Sequence, residues 1–416
     1  MYLVDADGQA RWGVDIGGAA FALATGDLEG DGRAEILAGG DDGAVHALDA
    51  DGAPRWEMPL AGRVTAIALA DLQGDGSLEV LAGARPGRVF ALAADGTLLW
   101  QQLTPGAPTS FLILGGSKGR VILTSTEDGA VQAFDEAGVP LWQRGGAGYI
   151  RGLVPYEGRA LAGARDGTLR RYDSEGGLSL DTALDGPVAS LAAWDLDGNE
   201  VPEILIGIGG TAGAVVAMDG DGYVRWRTLT GHGVWALAQA DLEGDGRPEI
   251  VAGTDGGEVL VLDRWGQVRG RTYVPWRVHG LLTTDSDGDG REEVLARASH
   301  HLYLLEGSLP GEAGERQRHV ETLARWPDDA TLLPAGEDQV VLIAVGDICP
   351  GRAVEERMLV YGPGYPLEAF APLVRQADIA TGNLEGTLAD GGTPLRKTYT
   401  FRAKPAPVSY THLTLP

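Results

Sequence analysis

The chain has 416 residues, 44% of them hydrophobic but only 6% aromatic, and 64 are glycine. Its 33 basic residues stand against 59 acidic ones, a net charge of −26, so a phosphate backbone is repelled and nucleic acid is excluded as a partner. Glycine without a three-residue period excludes collagen, the single cysteine, Cys349, excludes an internal disulfide, and no run approaches the roughly 18 apolar residues of a membrane span.

The N-terminus, MYLVDADGQARWG, carries neither the basic start nor the apolar stretch of a signal peptide. It reads instead as the later part of a repeating unit, equivalent to Val45–Gly62. The unit shows itself at DLEGDGRAEILAG, from Asp27. Near-copies begin at Asp71, Asp195, Asp241 and Asp285, at intervals of 44, 124, 46 and 44 residues. The long interval holds two worn copies that keep the later strands and lose the acidic loop, which makes seven units.

Each full unit runs from a short apolar strand (FALATG) through the acidic loop to a second strand (EILAGG), a DDG turn, an alternating strand (AVHALD), an ADG turn and a fourth strand (APRWEM). Period-two alternation broken by Asp-Gly turns predicts antiparallel strands joined by tight hairpins. Four strands in about 44 residues predict one propeller blade. The expected fold is therefore an all-β, seven-bladed β-propeller over residues 1–310, with residues 1–18 either supplying a closing strand or forming the remnant of an eighth blade. His301–Glu306 supplies a third strand of the last unit and His319–Trp326 offers its fourth. Tryptophans recur in the fourth strands at Trp12, Trp56, Trp100, Trp142 and Trp226, where a large ring is expected to fill the wedge between blades.

Oxygen-bearing side chains occupy positions 1, 3, 5 and 9 of every acidic loop. The sets are Asp27, Glu29, Asp31, Glu35; Asp71, Gln73, Asp75, Glu79; Asp195, Asp197, Asn199, Glu203; Asp241, Glu243, Asp245, Glu249; and Asp285, Asp287, Asp289, Glu293. Calcium takes roughly six to eight oxygens, and alternate residues of a tight loop can turn several inward. Glycine at position 6 permits the sharp turn; Glu200 stands there in the third set, the weakest of the five, while the Asp285 set is the cleanest. The expected cofactor is structural Ca2+.

The DxxGDGxxE loop between strands resembles the FG-GAP repeats of integrin α-subunits, and GxVxALDxxGxxxW resembles the repeat of PQQ-like propellers. The resemblance implies architecture more than activity. The adjacent cysteine pair of many quinoprotein alcohol dehydrogenases is impossible with one cysteine.

After residue 310 the texture changes. Residues 311–338 are polar and read as a linker. From Gln339, VVLIAVGDICPGR predicts a buried strand running into a loop, Pro366–Ala377 a helix, and ADIATGNLEG a second strand and loop, a β-α-β beginning. GDIC at Gly346–Cys349, GNLEG at Gly382–Gly386 and KTYTFR at Lys397–Arg402 resemble the opening of the poly-γ-glutamate capsule-synthesis (CapA) family, which looks like calcineurin-type metallophosphatases. The resemblance covers 339–407 and implies that Asp347, Asn383 and Glu385 are ligands of a divalent-metal centre. It also implies that the family's histidine motifs lie further on, so activity is not expected from these residues alone. Residues 408–416, beginning VSYTHL, continue neither pattern.

The function expected from the sequence is a calcium-binding propeller acting as a binding or scaffolding module. It is fused to a CapA-like domain of cell-surface polymer synthesis, located outside the cytoplasm. Its partner is expected to be a protein or surface polymer, and the chain a monomer. The alternatives are a metal-dependent enzyme of anionic-polymer synthesis or processing with an accessory propeller, and an integrin-like adhesion protein.

Overall fold

The computed structural model describes residues 1–4 and 10–305, apart from positions 61, 118, 147 and 300. Beyond these it gives the backbone of strands at 320–325, 342–348, 379–384, 387–388 and 402–403. The chain divides into two compact units, Met1–Arg325 and Trp326–Pro416.

The first unit is a β-propeller. Seven four-stranded antiparallel sheets follow one another at residues 20–59, 64–103, 108–144, 150–183, 188–229, 234–273 and 278–325, here blades 1 to 7. Within each sheet the strands pair in chain order. The first strands of successive blades contact one another, from Ala20–Gly26 in blade 1 to Val278–Thr284 in blade 7. First strands are thus innermost and line the axis, and fourth strands lie outside. The fourth strands of blades 1 to 6 alternate exposed and half-buried residues, as in Pro54–Pro59 and Val224–Leu229, whereas second strands such as Glu79–Ala84 and Glu203–Ile208 are buried throughout. That contrast follows from burial on two faces inside the ring and on one at its rim.

Blade 7 takes its fourth strand from Val320–Arg325, which pairs with His301–Leu305. The propeller unit therefore ends at Arg325, past the boundary at 310 that the sequence indicates, and the expected linker 311–338 contains a strand. Residues 2–4 and 10–13 pair with each other as a two-stranded ribbon. This ribbon is not the closing strand of blade 7, which has four strands of its own, and seven complete blades lie among the described residues.

The blades are fastened by a repeated clasp. Trp12 Nε1 donates to Ala50 O (3.1 Å), Trp56 to Ala94 O (2.9 Å), Trp100 to Glu136 O (3.1 Å), Trp142 to Ser174 O (2.8 Å) and Trp226 to Arg264 O (2.9 Å). Each acceptor lies in the turn between third and fourth strands of the following blade, two residues before a glycine. A β-carbon on those glycines (Gly52, Gly96, Gly138, Gly176, Gly266) would fall 2.4 to 2.7 Å from the indole. The tryptophans are packing residues, as their spacing predicts. The fourth strands of blades 4, 6 and 7 lack the tryptophan; in blade 4 Arg171, buried on the third strand, donates through Nη1 to the matching carbonyl of Gly220 at 2.7 Å.

In the second unit, Leu342–Ile348 and Ile379–Leu384 pair in parallel. A parallel pair needs a crossover connection, in keeping with the predicted β-α-β beginning. The predicted helix Pro366–Ala377 and Glu385 lie outside the described residues.

Candidate metal loops

The five acidic loops join first and second strands, and they share one hydrogen-bonding plan. The carboxylate at position 1 caps the loop's own amides: Asp27 accepts from the N–H groups of Gly30 (2.7 Å), Asp31 (3.1 Å) and Gly32 (2.8 Å). Asp195 does the same with Gly198, Asn199 and Glu200. Donation from the Gly32 amide, ahead of the opposing effect of burial, holds Asp27 below the usual carboxylate range. The side chain at position 5 accepts from the amide two residues on, as Asp31 does from Arg33 and Asp289 from Arg291. The glutamate at position 9 begins the second strand. It accepts from the amide at position 2: Glu35 from Leu28, Glu79 from Leu72, Glu203 from Leu196, Glu249 from Leu242 and Glu293 from Ser286. These carboxylates therefore shape the loop with or without an ion. Glu200 takes φ +69 where the other loops place glycine at +76 to +90, a strained conformation for a side-chain-bearing residue.

What separates the loops is the source of positive charge. In the first, Arg55 of the fourth strand bonds Glu35 Oε1 (3.2 Å) and Glu29. In the third, Arg225 at the matching position bonds Asp197 Oδ2 (2.8 Å) and Glu203 Oε1 (2.5 Å). The second loop uses the Gln73 amide on Glu79 (3.0 Å) and Arg120 on Asp71 (3.3 Å). The fourth and fifth have no such partner among the described residues; Arg269, matching Arg55 in position, makes no ion pair there. Burial, reinforced by Glu243, Asp245 and Asp241, pushes Glu249 up to about 7. In the fifth loop, oxygens of Asp285, Asp287, Asp289 and Glu293 all lie within 4.8 Å of one another. Asp195, Asp197 and Glu203 also converge within that distance, but Arg225 reaches two of the three.

The arginines carry a sequence signal that spacing of acidic residues alone does not reveal: both precede the clasp tryptophan, in the dipeptides Arg55-Trp56 and Arg225-Trp226. In the second unit, Asp347 and Asn383 fall near the carboxyl ends of adjacent parallel strands, with Ile348 paired to Leu384.

Two family models match, one at each end. Residues 2–126 match the family described as outer membrane protein assembly factor BamB, and residues 341–411 match the bacterial capsule synthesis protein PGA_cap. No curated protein matches the chain. Among solved structures, BamB from Moraxella catarrhalis is 20% identical at TM-score 0.52, covering 70% of this chain and 84% of its own. Saccharomyces cerevisiae Sqt1 is 13% identical at TM-score 0.56, with 73% and 93% covered. BBS1N, solved in complex with ARL6DN, is 17% identical at 0.51, with 71% and 94% covered. Identities this low establish the propeller fold and no activity. Among the described residues no helix is long and apolar enough to cross a membrane.

Proposed function

We propose that this chain is a β-propeller binding or scaffolding module, supported by calcium, joined to a CapA-type segment that acts in assembly of a cell-surface polymer outside the cytoplasm. The observation that carries the reading is the pairing, in one chain, of BamB-type repeats with a capsule-synthesis match. Both family descriptions concern the bacterial envelope. Loss of the chain from its host should lower surface polymer, with recovery on return of the full chain but not of one lacking residues 341–411. Unchanged polymer content would remove this role.

Calcium is proposed first for the loop at Asp285, where four carboxylates converge without a protein cation, and next for the loop at Asp241, which likewise has no cation partner among the described residues. In the other three, Arg55, Arg225 and the Gln73–Arg120 pair supply what an ion would. Millimolar calcium outside the cell suits loops of this kind. Calorimetric titration of the full chain should find binding that Asp285→Asn together with Asp287→Asn weakens, and melting should shift upward in calcium relative to chelator. No heat at millimolar calcium would sink this part.

One observation favours a second reading, a metal-dependent enzyme of anionic-polymer synthesis or processing. Asp347 and Asn383 sit near the carboxyl ends of adjacent parallel strands, where open α/β sheets place ligands. Their oxygens suit a divalent metal, which would supply Lewis acidity toward a phosphoryl or carbonyl oxygen. Metal-dependent phosphate-ester hydrolysis lost on Asp347→Asn would favour it; none in the wild type would count against it.

A further inference from the structure

The second residue of each innermost strand faces the axis at one mouth of the ring. In blades 1 to 7 these residues are Phe21, Thr65, Thr109, Arg151, Ala189, Trp235 and His279. Thr65 and Thr109 are satisfied locally, by carbonyls of Gly83 and Pro108 and by Ser125 Oγ. Ala189 is buried and small. Past it, Arg151 of blade 4 reaches the Trp235 ring of blade 6, its Cζ 4.9 Å from the ring centre. Arg277, just before the innermost strand of blade 7, lies 4.6 Å from the same ring.

These groups form an unbalanced cluster. Arg151 keeps some contact with solvent but is crowded by protein. That desolvation, followed by the like charges of Arg297 and Arg277, pushes its pKa down. Burial, then Arg297, Arg277 and Arg151, push His279 down as well. None of the three arginines has an ion-pair partner among the described residues. The indole N–H of Trp235 is buried and finds no acceptor in the protein. Of the acidic residues on the surrounding turns, Asp41 pairs with Arg63, Glu127 with Arg85 and Asp185 with Arg227, while Asp42 bonds His46, Asp128 bonds Thr126, Asp166 accepts the amides of Gly148 and Thr168, and Asp255 lies 3.8 Å from His232. A chain of net charge −26 thus keeps, at one mouth of its axis, a patch of donors that none of these carboxylates ion-pairs among the described residues.

We propose that this mouth binds the carboxylates of an acidic peptide segment, presented end-on, through Arg151, Arg277 and the Trp235 indole. Guanidinium forks match carboxylates in shape and charge, and the indole N–H adds one donor. The acidic body repels an extended polyanion laid across the surface, so a narrow end-on approach to the axis is the one the charge distribution permits. Cation–π contact with Trp235 steadies the guanidiniums but leaves their donors free. The site is separate from the calcium loops, which lie between first and second strands, and does not depend on their occupancy.

The test is titration of the full chain with hexaglutamate, followed by calorimetry at low and at 0.5 M salt. Hexalysine and inorganic pyrophosphate serve as comparison probes. Hexaglutamate should bind, salt should weaken it, and Arg151→Ala with Arg277→Ala should weaken it at least tenfold. Both arginines are exposed, so the fold should persist. Arg85→Ala with Arg227→Ala removes the same charge from engaged rim pairs and should leave affinity within twofold. No binding of hexaglutamate, equal loss in both double variants, or pyrophosphate binding at least as tightly would each overturn the proposal.

Discussion

At the scale of single residues, the acidic loops show two solutions to one electrostatic problem. A glutamate at the start of a buried strand accepts one backbone amide and still has an oxygen to neutralise. Arg225 does this for Glu203, whose carboxyl is pushed up by burial despite that partner. Arg225→Gln is therefore expected to lower stability in chelator by about 1–3 kcal/mol, the usual cost of an orphaned buried acceptor, with part of the loss recovered in calcium as the freed carboxylates accept an ion. Thermal melts in both buffers check this, and equal losses in the two would show that the arginine does not stand in for an ion. Glu249 shows the opposite case. Its folded pKa of about 7 lies above the 4.5 of an ordinary glutamate. Between those values the folded chain holds a proton that the unfolded chain has released. The group's stabilising contribution is full below about 4.5, falls as pH rises through 7, and stays lost above. In chelator, Glu249→Gln should melt higher than wild type at pH 8, with the gap closing toward pH 4.5. In calcium at pH 8 the order should reverse if the loop binds the ion.

At the scale of strands and turns, the clasp explains why the blades keep register. Each tryptophan covers a turn glycine in the left-handed region and caps a carbonyl of the next blade, so ring, glycine and carbonyl depend on one another. Trp142→Ala should cost roughly 2–4 kcal/mol, a little below a fully buried tryptophan because the ring is half-exposed. Gly176→Ala should cost a comparable amount, because φ is +81 and its methyl would meet the indole at 2.7 Å. Denaturant midpoints for the two single variants and the pair would show coupling; additive losses would mean that they do not act as one contact. Much of this element was legible in the sequence. Tryptophan spacing, Asp-Gly turns and period-two strands recur at a fixed interval, and repetition turns weak local signals into a strong one. The acceptors were not legible, since they lie 32 to 38 residues away across a blade boundary. Nor was Arg171, which serves the same carbonyl position from a different strand. The fourth strand of blade 7 was legible at His319–Trp326, but the domain boundary was set short of it at 310 because residues 306–319 lack the Asp-Gly turn that marks the other hairpins. The charge partners of the loops were hidden for a related reason, as Arg55 and Arg225 belong to strands read only for their tryptophans.

At the scale of the whole molecule, blades 1 and 7 each expose residues that are covered in the other blades. Inside the ring, one position on the second strand must be small. A β-carbon at Gly39, Gly163 or Gly253 would lie 2.4 Å from a valine of the next blade. Blade 7 has Arg297 at the corresponding place, and it is exposed. On the same face Leu282, matching the covered Ala68 of blade 2, is 69% exposed, and Leu23 on the opposite-facing side of blade 1 is 55% exposed. Elsewhere such residues form clusters that run from blade to blade, as Ala68, Leu81, Ile122 and Phe134 do across blades 2 and 3. Contiguous apolar surface of this kind favours association. The chain is therefore expected to self-associate as its concentration rises, against the expectation that it is a monomer. Leu23→Ser with Leu282→Ser should reduce that association, measured by sedimentation, while changing the melting midpoint little because neither side chain is covered. Leu81→Ser, the matched change inside the ring, should cost several kcal/mol by placing an unpaired hydroxyl in a closed apolar site. Equal stability losses for the exposed and enclosed leucines would mean that the two faces are covered in solution, and that the ring closes where this structure leaves them apart.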